Sequence, residues 1–219
     1  MNTRSICIVD YGLGNLFSVQ RALERVGATN TIISDQQSQI QKADRLILPG
    51  VGAFRDGMEN LHTLGLVPTI KEFAASGKPI LGVCLGMQLL MSESEEFGRH
   101  KGLDLLPGRV RLLNPGEDRR FKVPHIGWNS LHGGCDETGT ESQWQQTILK
   151  DVANGSSMYF VHSFVVEPED KAIVTAFTQY GDDEYCSVLK SGNITAAQFH
   201  PELSGEDGLS LYRNFVHVG

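Results

Sequence analysis

The chain has 219 residues, of which 40% are hydrophobic and 21% are charged, and its formal net charge is −7. This length and composition predict one domain over residues 1–219 with a substantial core, and the negative charge argues against a protein that binds nucleic acid through a basic surface. No apolar run reaches the length of a secretory leader or a membrane span, so we expect a cytoplasmic protein that binds neither membrane nor nucleic acid.

The first half of the chain alternates strand and helix signals. Short apolar runs predict strands at residues 6–9, 31–33, 46–48 and 80–83. Apolar residues at helical spacing predict helices at residues 16–26, 54–61 and 67–75. Repeated strand–helix units predict a mainly parallel sheet covered by helices on both faces, and such sheets bind ligands beyond the carboxyl ends of their strands.

The second half is richer in strand signals. Strands are predicted at residues 109–113, 158–161, 172–178, 186–189 and 194–197, and a closing helix carries Leu209, Tyr212, Phe215 and Val216. A polar stretch at residues 133–142 is predicted to be an exposed loop. The fold class expected is therefore α/β: a mainly parallel central sheet flanked by helices, with an additional antiparallel β portion.

The most informative segment is Gly82-Val83-Cys84-Leu85-Gly86, between the strand at 80–83 and an apolar stretch, residues 87–91, that we predict to be helical. A nucleophile between two glycines at a strand-to-helix turn is typical of a nucleophile elbow, here with Cys in place of Ser. The N–H groups and dipole at the helix start favour the thiolate. For this segment alone, a structural Cys packed between glycines is the alternative.

The second informative segment is His200-Pro201-Glu202, which follows the strand at 194–197. Residues two apart in an extended chain face the same side, so the Glu202 carboxylate is expected to orient the His200 ring. Taken alone, the tripeptide is more often a solvated turn at the end of a strand. Together with Cys84 it predicts a Cys–His–Glu catalytic site.

The other cysteines give no sign of a metal site or a disulfide framework. Cys7, Cys135 and Cys186 form neither a Cys-x-x-Cys pair nor a metal-like spacing with histidine. We expect Cys7 to lie in the core, Cys135 in a loop and Cys186 in a strand. No metal and no cofactor are expected.

The chain resembles the class I glutamine amidotransferases over almost its whole length. The resemblance rests on the Cys84 elbow, on Pro49-Gly50-Val51-Gly52 and on His200-Pro201-Glu202. Within that family the chain is most similar to the glutaminase subunits of imidazole glycerol phosphate synthases, through residues 10–16, 123–129 and 159–163.

The resemblance implies hydrolysis of L-glutamine to glutamate and ammonia, with Cys84 as nucleophile, His200 as acid and base, and Glu202 orienting His200. Amide cleavage of this kind needs two N–H donors at the developing oxyanion. Leu85 is expected to supply one and the segment Gly50, Val51 and Gly52 the other. An ordinary glycine-rich turn is the alternative for that segment.

The resemblance also assigns the glutamine contacts. These are Gln88 on the helix after the elbow, and His162, Ser163 and Phe164, which receive the α-amino and α-carboxylate end. The alternatives are a half-exposed polar residue for Gln88 and a structural histidine for His162.

A partner is implied because this chain shows no second catalytic domain to use the ammonia. In the family the partner is a (β/α)₈-barrel cyclase, which forms a heterodimer with the glutaminase and makes imidazole glycerol phosphate for histidine synthesis. Asn15 and Trp128 match docking positions; an N-cap and a core aromatic are their alternatives. The glycines at 50 and 52 are expected to let the oxyanion segment rest in an incorrect orientation until the partner docks.

Two departures from the family pattern concern the partner. Leu203 stands where the family carries Lys or Arg, and the loop at residues 133–146 is longer than usual. A synthase that amidates sugars for surface polysaccharide is therefore an alternative acceptor. A non-catalytic scaffold is a further alternative, which the intact Cys, His and Glu disfavour. A Cys–His peptidase or thioesterase is another, which the matches at 123–129 and 159–163 disfavour.

Overall fold

A computed structural model describes residues 4–118, 120–133 and 144–217. Its first elements are β1 (Ile6–Val9), α1 (Leu16–Arg25), β2 (Thr31–Ser34), α2 (Gln37–Lys42), β3 (Arg45–Leu48), α3 (Phe54–Thr63), α4 (Leu66–Ala75), β4 (Ile80–Val83) and α5 (Leu85–Leu89). They continue with β5 (Met91–Ser94), β6 (His100–Lys101), β7 (Leu106–Leu112), β8 (His125–Ser130), β9 (Ser157–His162), β10 (Phe164–Pro168), β11 (Val174–Tyr180), β12 (Asp183–Ser191), β13 (Ile194–Ala197) and α6 (Gly205–His217).

The central sheet of the described residues has seven strands in the order β11-β12-β13-β4-β3-β1-β2. The strands from β13 to β2 pair in parallel, whereas β12 and β11 join the β13 edge antiparallel. The parallel register places Ala197 beside Val83, so the residues that follow β13 and β4 leave the sheet at the same edge. This edge carries the candidate site.

Two smaller sheets supply the rest of the β structure. One has the order β10-β7-β5-β6, and the other is an antiparallel pair of β8 and β9. The predicted fold class, a mainly parallel sheet with helices and an additional antiparallel β portion, is confirmed.

Apolar side chains cover both faces of the central sheet because residues alternate along each strand. In β1, Ile6 and Ile8 join one buried cluster with Leu23 of α1 and residues of α6. Cys7 and Val9 join the opposite cluster, with residues of α3 and α4. Each fully buried Ile or Leu contributes about 1.5–3 kcal/mol relative to an exposed one.

The structure differs from the predicted elements where burial hides the period or where the element is short. The helix expected at residues 87–91 ends at Leu89, and Met91 starts β5. Residues from Leu85 to Met91 are all buried, so their apolar pattern carries no helical or strand period. The sequence also failed to predict α2, β5, β6, β8 and β10.

The structure agrees only in part with a predicted strand and covers only part of a predicted loop. The strand expected from residue 172 begins at Val174, after a 3₁₀ turn, Lys171–Ile173, that Asp170 caps. Of the predicted loop, residues 134–143 and with them Cys135 lie outside the described residues. Trp144 is buried, and its indole donates to the Thr175 carbonyl at 3.0 Å. None of the described helices is long and apolar enough to cross a membrane.

Candidate active site

Cys84 occupies a sharp turn between β4 and α5. Its backbone has φ +53° and ψ −111°, a region that costs a non-glycine residue about 1–3 kcal/mol. The Cys84 N–H donates to the Ala197 carbonyl at 2.8 Å, which ties the turn to the end of β13. A Cβ on Gly86 would overlap the Leu48 carbonyl oxygen, so this close approach of chain segments requires glycine.

The Cys84 thiol lies in a mostly buried, polar environment. The residue is 5% exposed. The Gln198 amide nitrogen lies 3.8 Å from the Cys84 sulfur, and the Val161 carbonyl oxygen lies 3.9 Å from it. The sulfur is therefore held at the wall of a cleft.

His200 and Glu202 form a buried pair. His200 Nδ1 lies 2.9 Å from Glu202 Oε1, and the two side chains are 5% and 3% exposed. Tyr212 donates to the other carboxylate oxygen of Glu202 at 3.1 Å. Residues Pro201–Leu203 form a 3₁₀ turn, so the prediction that an extended chain orients this pair is wrong about the backbone. The turn still directs both side chains to one place.

Electrostatic contacts favour the cationic form of His200. Burial alone would lower the pKa of its imidazole, but the nearby Cys84 sulfur and the hydrogen-bonded Glu202 carboxylate outweigh burial and raise the pKa to about 10. Among the described residues, Nε2 is buried without a partner at ordinary hydrogen-bond geometry. The ring nitrogen that Glu202 does not hold is thus reserved for Cys84 and for a reacting group.

A cavity of about 330 Å³ opens beside Cys84. Cys84 lines it, and so do seven of the eight residues that were expected to form the oxyanion and glutamine contacts. These seven are Val51, Gly52, Leu85, Gln88, His162, Ser163 and Phe164, and the exception is Gly50. The remaining lining residues, Glu96, Pro124 and Val161, were not predicted to be site residues.

Gln88 is held in the cavity wall by its amide nitrogen. Gln88 Nε2 donates to the Phe164 carbonyl at 2.9 Å and to Gln198 Oε1 at 3.2 Å. The same Phe164 carbonyl accepts from His162 Nδ1 at 3.1 Å. Burial, reinforced by the neighbouring His125, lowers the pKa of His162 to about 3, so this imidazole is neutral.

Glu96 is the residue that sequence reasoning missed. Its carboxylate accepts the Phe54 N–H, and burial raises its pKa while that hydrogen bond lowers it. In the sequence it is one of several acidic residues between 93 and 96, and nothing separates it from the others. Only the tertiary structure places Glu96, which follows β5, against the start of α3 and at the cavity wall.

The segment expected to supply the second oxyanion donor presents a carbonyl instead. The Leu85 N–H donates to the Gly50 carbonyl at 3.3 Å. Tyr11 donates to the adjacent Pro49 carbonyl at 2.6 Å, and a Cβ on Gly50 would overlap the Tyr11 hydroxyl. In this conformation the Leu85 N–H already has an acceptor and is not free to stabilise an oxyanion.

The two docking candidates lie on the surface. Asn15 is exposed, and its side chain caps α1 by accepting the Ser18 N–H at 3.4 Å. Trp128 is 59% exposed, so the alternative of a core aromatic is wrong. Leu203 is 44% exposed.

Solved structures share this fold. One titled as the crystal structure of a glutamine amidotransferase matches with a TM-score of 0.71 at 18% identity, covering 97% of each chain. A chain of the PurLQS structure from Thermotoga maritima matches with a TM-score of 0.67 at 21% identity, covering 97% of this chain and 98% of that one. At these identities the likeness concerns the fold alone.

Sequence comparison is more specific. The family model for class-I glutamine amidotransferases matches residues 7–218. The imidazole glycerol phosphate synthase subunit HisH 1 of Legionella pneumophila strain Paris is 48% identical over 98% of this chain and 99% of its own. The HisH subunit of Aquifex aeolicus strain VF5 is 44% identical over 95% and 94%. The chain belongs to the class-I glutamine amidotransferase family, which confirms the resemblance seen in its sequence.

The described residues contain no group of three or more His, Cys, Asp or Glu side chains that could hold a metal ion. The arrangement offers a thiol, an imidazole that favours its cationic form, a buried carboxylate and a cleft. These are the groups that acyl transfer by a thiol nucleophile uses.

Proposed function

We propose that this chain is a glutaminase that hydrolyses L-glutamine to glutamate and ammonia for a separate synthase subunit. The observation that carries the proposal is the buried array of Cys84, His200 and Glu202 at the wall of a cavity of about 330 Å³. Its proposed chemistry is an attack of the Cys84 thiolate on the side-chain amide carbon, which gives a γ-glutamyl thioester.

His200 supplies the proton transfers in this proposal. Its Nε2–H protonates the departing nitrogen as the C–N bond breaks, and ammonia leaves. The neutral imidazole then takes a proton from the water that cleaves the thioester, and Cys84 is regenerated. Glu202 holds Nδ1–H, which keeps Nε2 directed at the reacting atoms.

The cavity wall suggests how glutamine is held. Gln88, His162, Ser163 and Phe164 are proposed to contact the substrate, and Glu96 is proposed to pair with its α-ammonium group. A mostly buried carboxylate that already accepts one backbone N–H keeps lone pairs for a second donor. Glu96→Gln should therefore weaken glutamine binding far more than Glu95→Gln, since Glu95 pairs with Arg109 at the surface.

The oxyanion segment supports a resting state in the isolated chain. With the Gly50 carbonyl on the Leu85 N–H, the site lacks the pair of donors that the tetrahedral intermediate needs. We propose that a rotation of the peptide group after Gly50 brings the Val51 N–H into place. Activation is then a shift in the population of one backbone segment.

The proposed partner is a (β/α)₈-barrel cyclase that makes imidazole glycerol phosphate in histidine biosynthesis, bound as a heterodimer. The names of the relatives above support this choice. A docking face is available on β8 and β9, where Ile126 pairs with Val161 and Trp128 with Tyr159. Directly opposite residues share a face, and Val161 also lines the cavity.

Glutamate release tests the glutaminase. The purified chain should be slow alone and fast with the barrel subunit and the ligand of that subunit. Full activity of the chain alone contradicts the resting state, and no activity in the complex contradicts the function.

Deletion of the gene tests the acceptor. The host should then require histidine for growth. A mutant that grows without histidine but lacks an amidinated surface sugar supports the alternative synthase, which Leu203 in place of a basic residue leaves open.

A further inference from the structure

A hydrogen-bond chain connects the inner side of β8 to the cavity wall. His125 Nδ1 lies 3.0 Å from the Tyr185 hydroxyl, and that hydroxyl lies 3.3 Å from His162 Nε2. His162 Nδ1 in turn contacts the Phe164 carbonyl, on which Gln88 Nε2 also donates. The Tyr185 side chain itself is not among the residues that line the cavity.

The directions of these bonds follow from which groups can donate. The Phe164 carbonyl only accepts, so His162 Nδ1 carries the proton. A neutral His162 then has a bare Nε2, and the Tyr185 hydroxyl must donate its one proton to it. The Tyr185 oxygen is left to accept from His125 Nδ1–H. The chain therefore runs from His125 through Tyr185 to His162 with every donor used once.

The surroundings hold this chain in place. His125 is 3% exposed, and its ring stacks on Tyr180 at a centroid distance of 3.9 Å and on Phe160 at 5.1 Å. Burial lowers the pKa of His125 to about 4 and that of His162 to about 3, so both imidazoles stay neutral at physiological pH. In contrast to His200, neither His125 nor His162 has a hydrogen-bonded carboxylate among the described residues.

We propose that Tyr185 is a positioning residue of the glutamine site: its hydroxyl holds the bare Nε2 of His162 and, through the Phe164 carbonyl that His162 and Gln88 share, fixes the orientation of the Gln88 amide. The proposal rests on the proposed function for the identity of the ligand. Tyr185 also occupies the one basic lone pair of His162, which would otherwise be a second proton acceptor near His200. The catalytic proton transfers are thereby confined to His200.

Nuclear magnetic resonance of the full chain tests the bond directions. Two-bond ¹H–¹⁵N correlations should show His162 and His125 as neutral Nδ1–H tautomers. In the variant Tyr185→Phe, the Phe164 carbonyl still holds the Nδ1–H of His162, so the tautomer should persist while the Nε2 resonance shifts because this nitrogen has lost its donor. An Nε2–H pattern for His162 in the wild type overturns the proposal.

Glutamine binding tests the positioning role. In a Cys84→Ala background, which prevents turnover, Tyr185→Phe should raise the dissociation constant for glutamine about fivefold or more, because a buried acceptor loses its donor. Tyr180→Phe is the matched control: its hydroxyl contacts the Lys122 backbone, outside the chain, and its ring still stacks on His125. It should change the dissociation constant less than twofold.

A double-mutant cycle separates positioning from general stability. The side chains of Tyr185 and Gln88 share no hydrogen bond, so independent effects on glutamine binding would multiply. We expect Tyr185→Phe and Gln88→Ala together to weaken binding much less than the product of their separate effects. Multiplicative effects, or an unchanged constant in Tyr185→Phe, overturn the proposal. A wild-type chain that binds no glutamine in the complex overturns both the proposed function and the positioning role. The directions of the hydrogen bonds are tested separately, by the ¹H–¹⁵N correlations.

Discussion

The Cys84–His200–Glu202 array and the segment from Pro49 to Gly52 both contribute residues to one cavity, yet only the array is arranged for catalysis. In the array, the Cys84 backbone is held by Ala197, the His200 ring by Glu202, and Glu202 by Tyr212. The oxyanion segment turns a carbonyl toward the Leu85 N–H through one bond of 3.3 Å. The groups that transfer protons are in place, while the backbone N–H donors that would stabilise the oxyanion of the tetrahedral intermediate are not.

This difference shows where a partner can control such a site. Moving the triad would break several buried hydrogen bonds, and each buried group left without a partner costs about 1–3 kcal/mol. Rotating the one peptide group between Gly50 and Val51 breaks one long hydrogen bond, and Gly50 has no Cβ to oppose the rotation. A modest docking energy therefore suffices to change the oxyanion segment and leaves the triad unaltered.

The largest expected effect is that of Cys84→Ala, which removes the nucleophile from the assembled side of the site. We expect glutamine hydrolysis in the complex to fall by at least about a thousandfold, because a triad acts as a unit. The variant Cys186→Ala, which removes another buried thiol, is the control and should keep its activity. Residual hydrolysis within about tenfold of wild type, or roughly 1.4 kcal/mol, would remove Cys84 from the mechanism.

His200→Asn should be as damaging as the loss of Cys84, and Glu202→Gln should be less damaging, with a loss of roughly ten- to a hundredfold. The orienting member of a triad is the more dispensable one. Tyr212→Phe, which removes one hydrogen bond to Glu202, should lower kcat only a few-fold. Steady-state glutaminase assays of Cys84→Ala, His200→Asn, Glu202→Gln and Tyr212→Phe measure this order. A Glu202 variant slower than the His200 variant would require the two roles to be exchanged.

Docking of the partner should raise kcat for glutamine by about 10²–10³ while KM changes less than about threefold. One oxyanion donor is worth about this factor in kcat, and the substrate contacts in the cavity wall do not depend on the segment. Kinetics of the chain with and without its partner and the ligand of the partner measure both constants. An activation that appears mainly in KM would place the change at Gln88 and His162 instead.

Trp128→Ala should weaken binding of the partner about tenfold, since exposed aromatic residues often dominate interface energies. The substitution should weaken only the activation that the partner exerts through the oxyanion segment. Basal hydrolysis by the isolated chain should stay the same. Ile32→Ala is the control, because Ile32 is exposed on β2, an edge strand of the central sheet, and β8 and β9 form a separate sheet. Titration of the partner gives both affinities, and equal affinities for the two variants would exclude the β8–β9 face.

The last expected effect concerns the pH dependence of stability and tests how tightly the triad is assembled. The pKa of His200 is raised to about 10 in the folded chain, above the value near 6.5 of an unfolded histidine. Its contribution to stability is therefore complete below pH 6.5 and is lost as the pH rises toward 10. The free energy of unfolding of wild type should approach that of His200→Asn over this range in urea titrations. A constant difference would show that His200 is neutral in the folded chain.

The sequence by itself determined the strand–helix order from β1 to the turn at Cys84, apart from α2, and the chemical groups of the site. Four-residue apolar runs such as Ile6–Val9 and Ile80–Val83 are buried on both faces, and Gly27 follows the end of a helix whose start Asn15 caps. Glycines next to Cys84 and the spacing of His200 and Glu202 are local features, so they can be recognised without the fold. The fully buried run from Leu85 to Met91 had no period, which is why its change from helix to strand was not predicted.

Tertiary structure alone decided which distant residues meet. Glu96, Gln198, Tyr185 and Tyr212 come to the site from separate elements, and no spacing in the sequence relates them to Cys84. The orientation of the Gly50 carbonyl is likewise a property of the packed state, because a glycine-rich segment permits both directions of the peptide group and only its contacts with Leu85 and Tyr11 select one. Local sequence sets which conformations a segment can adopt, and long-range contacts choose among them.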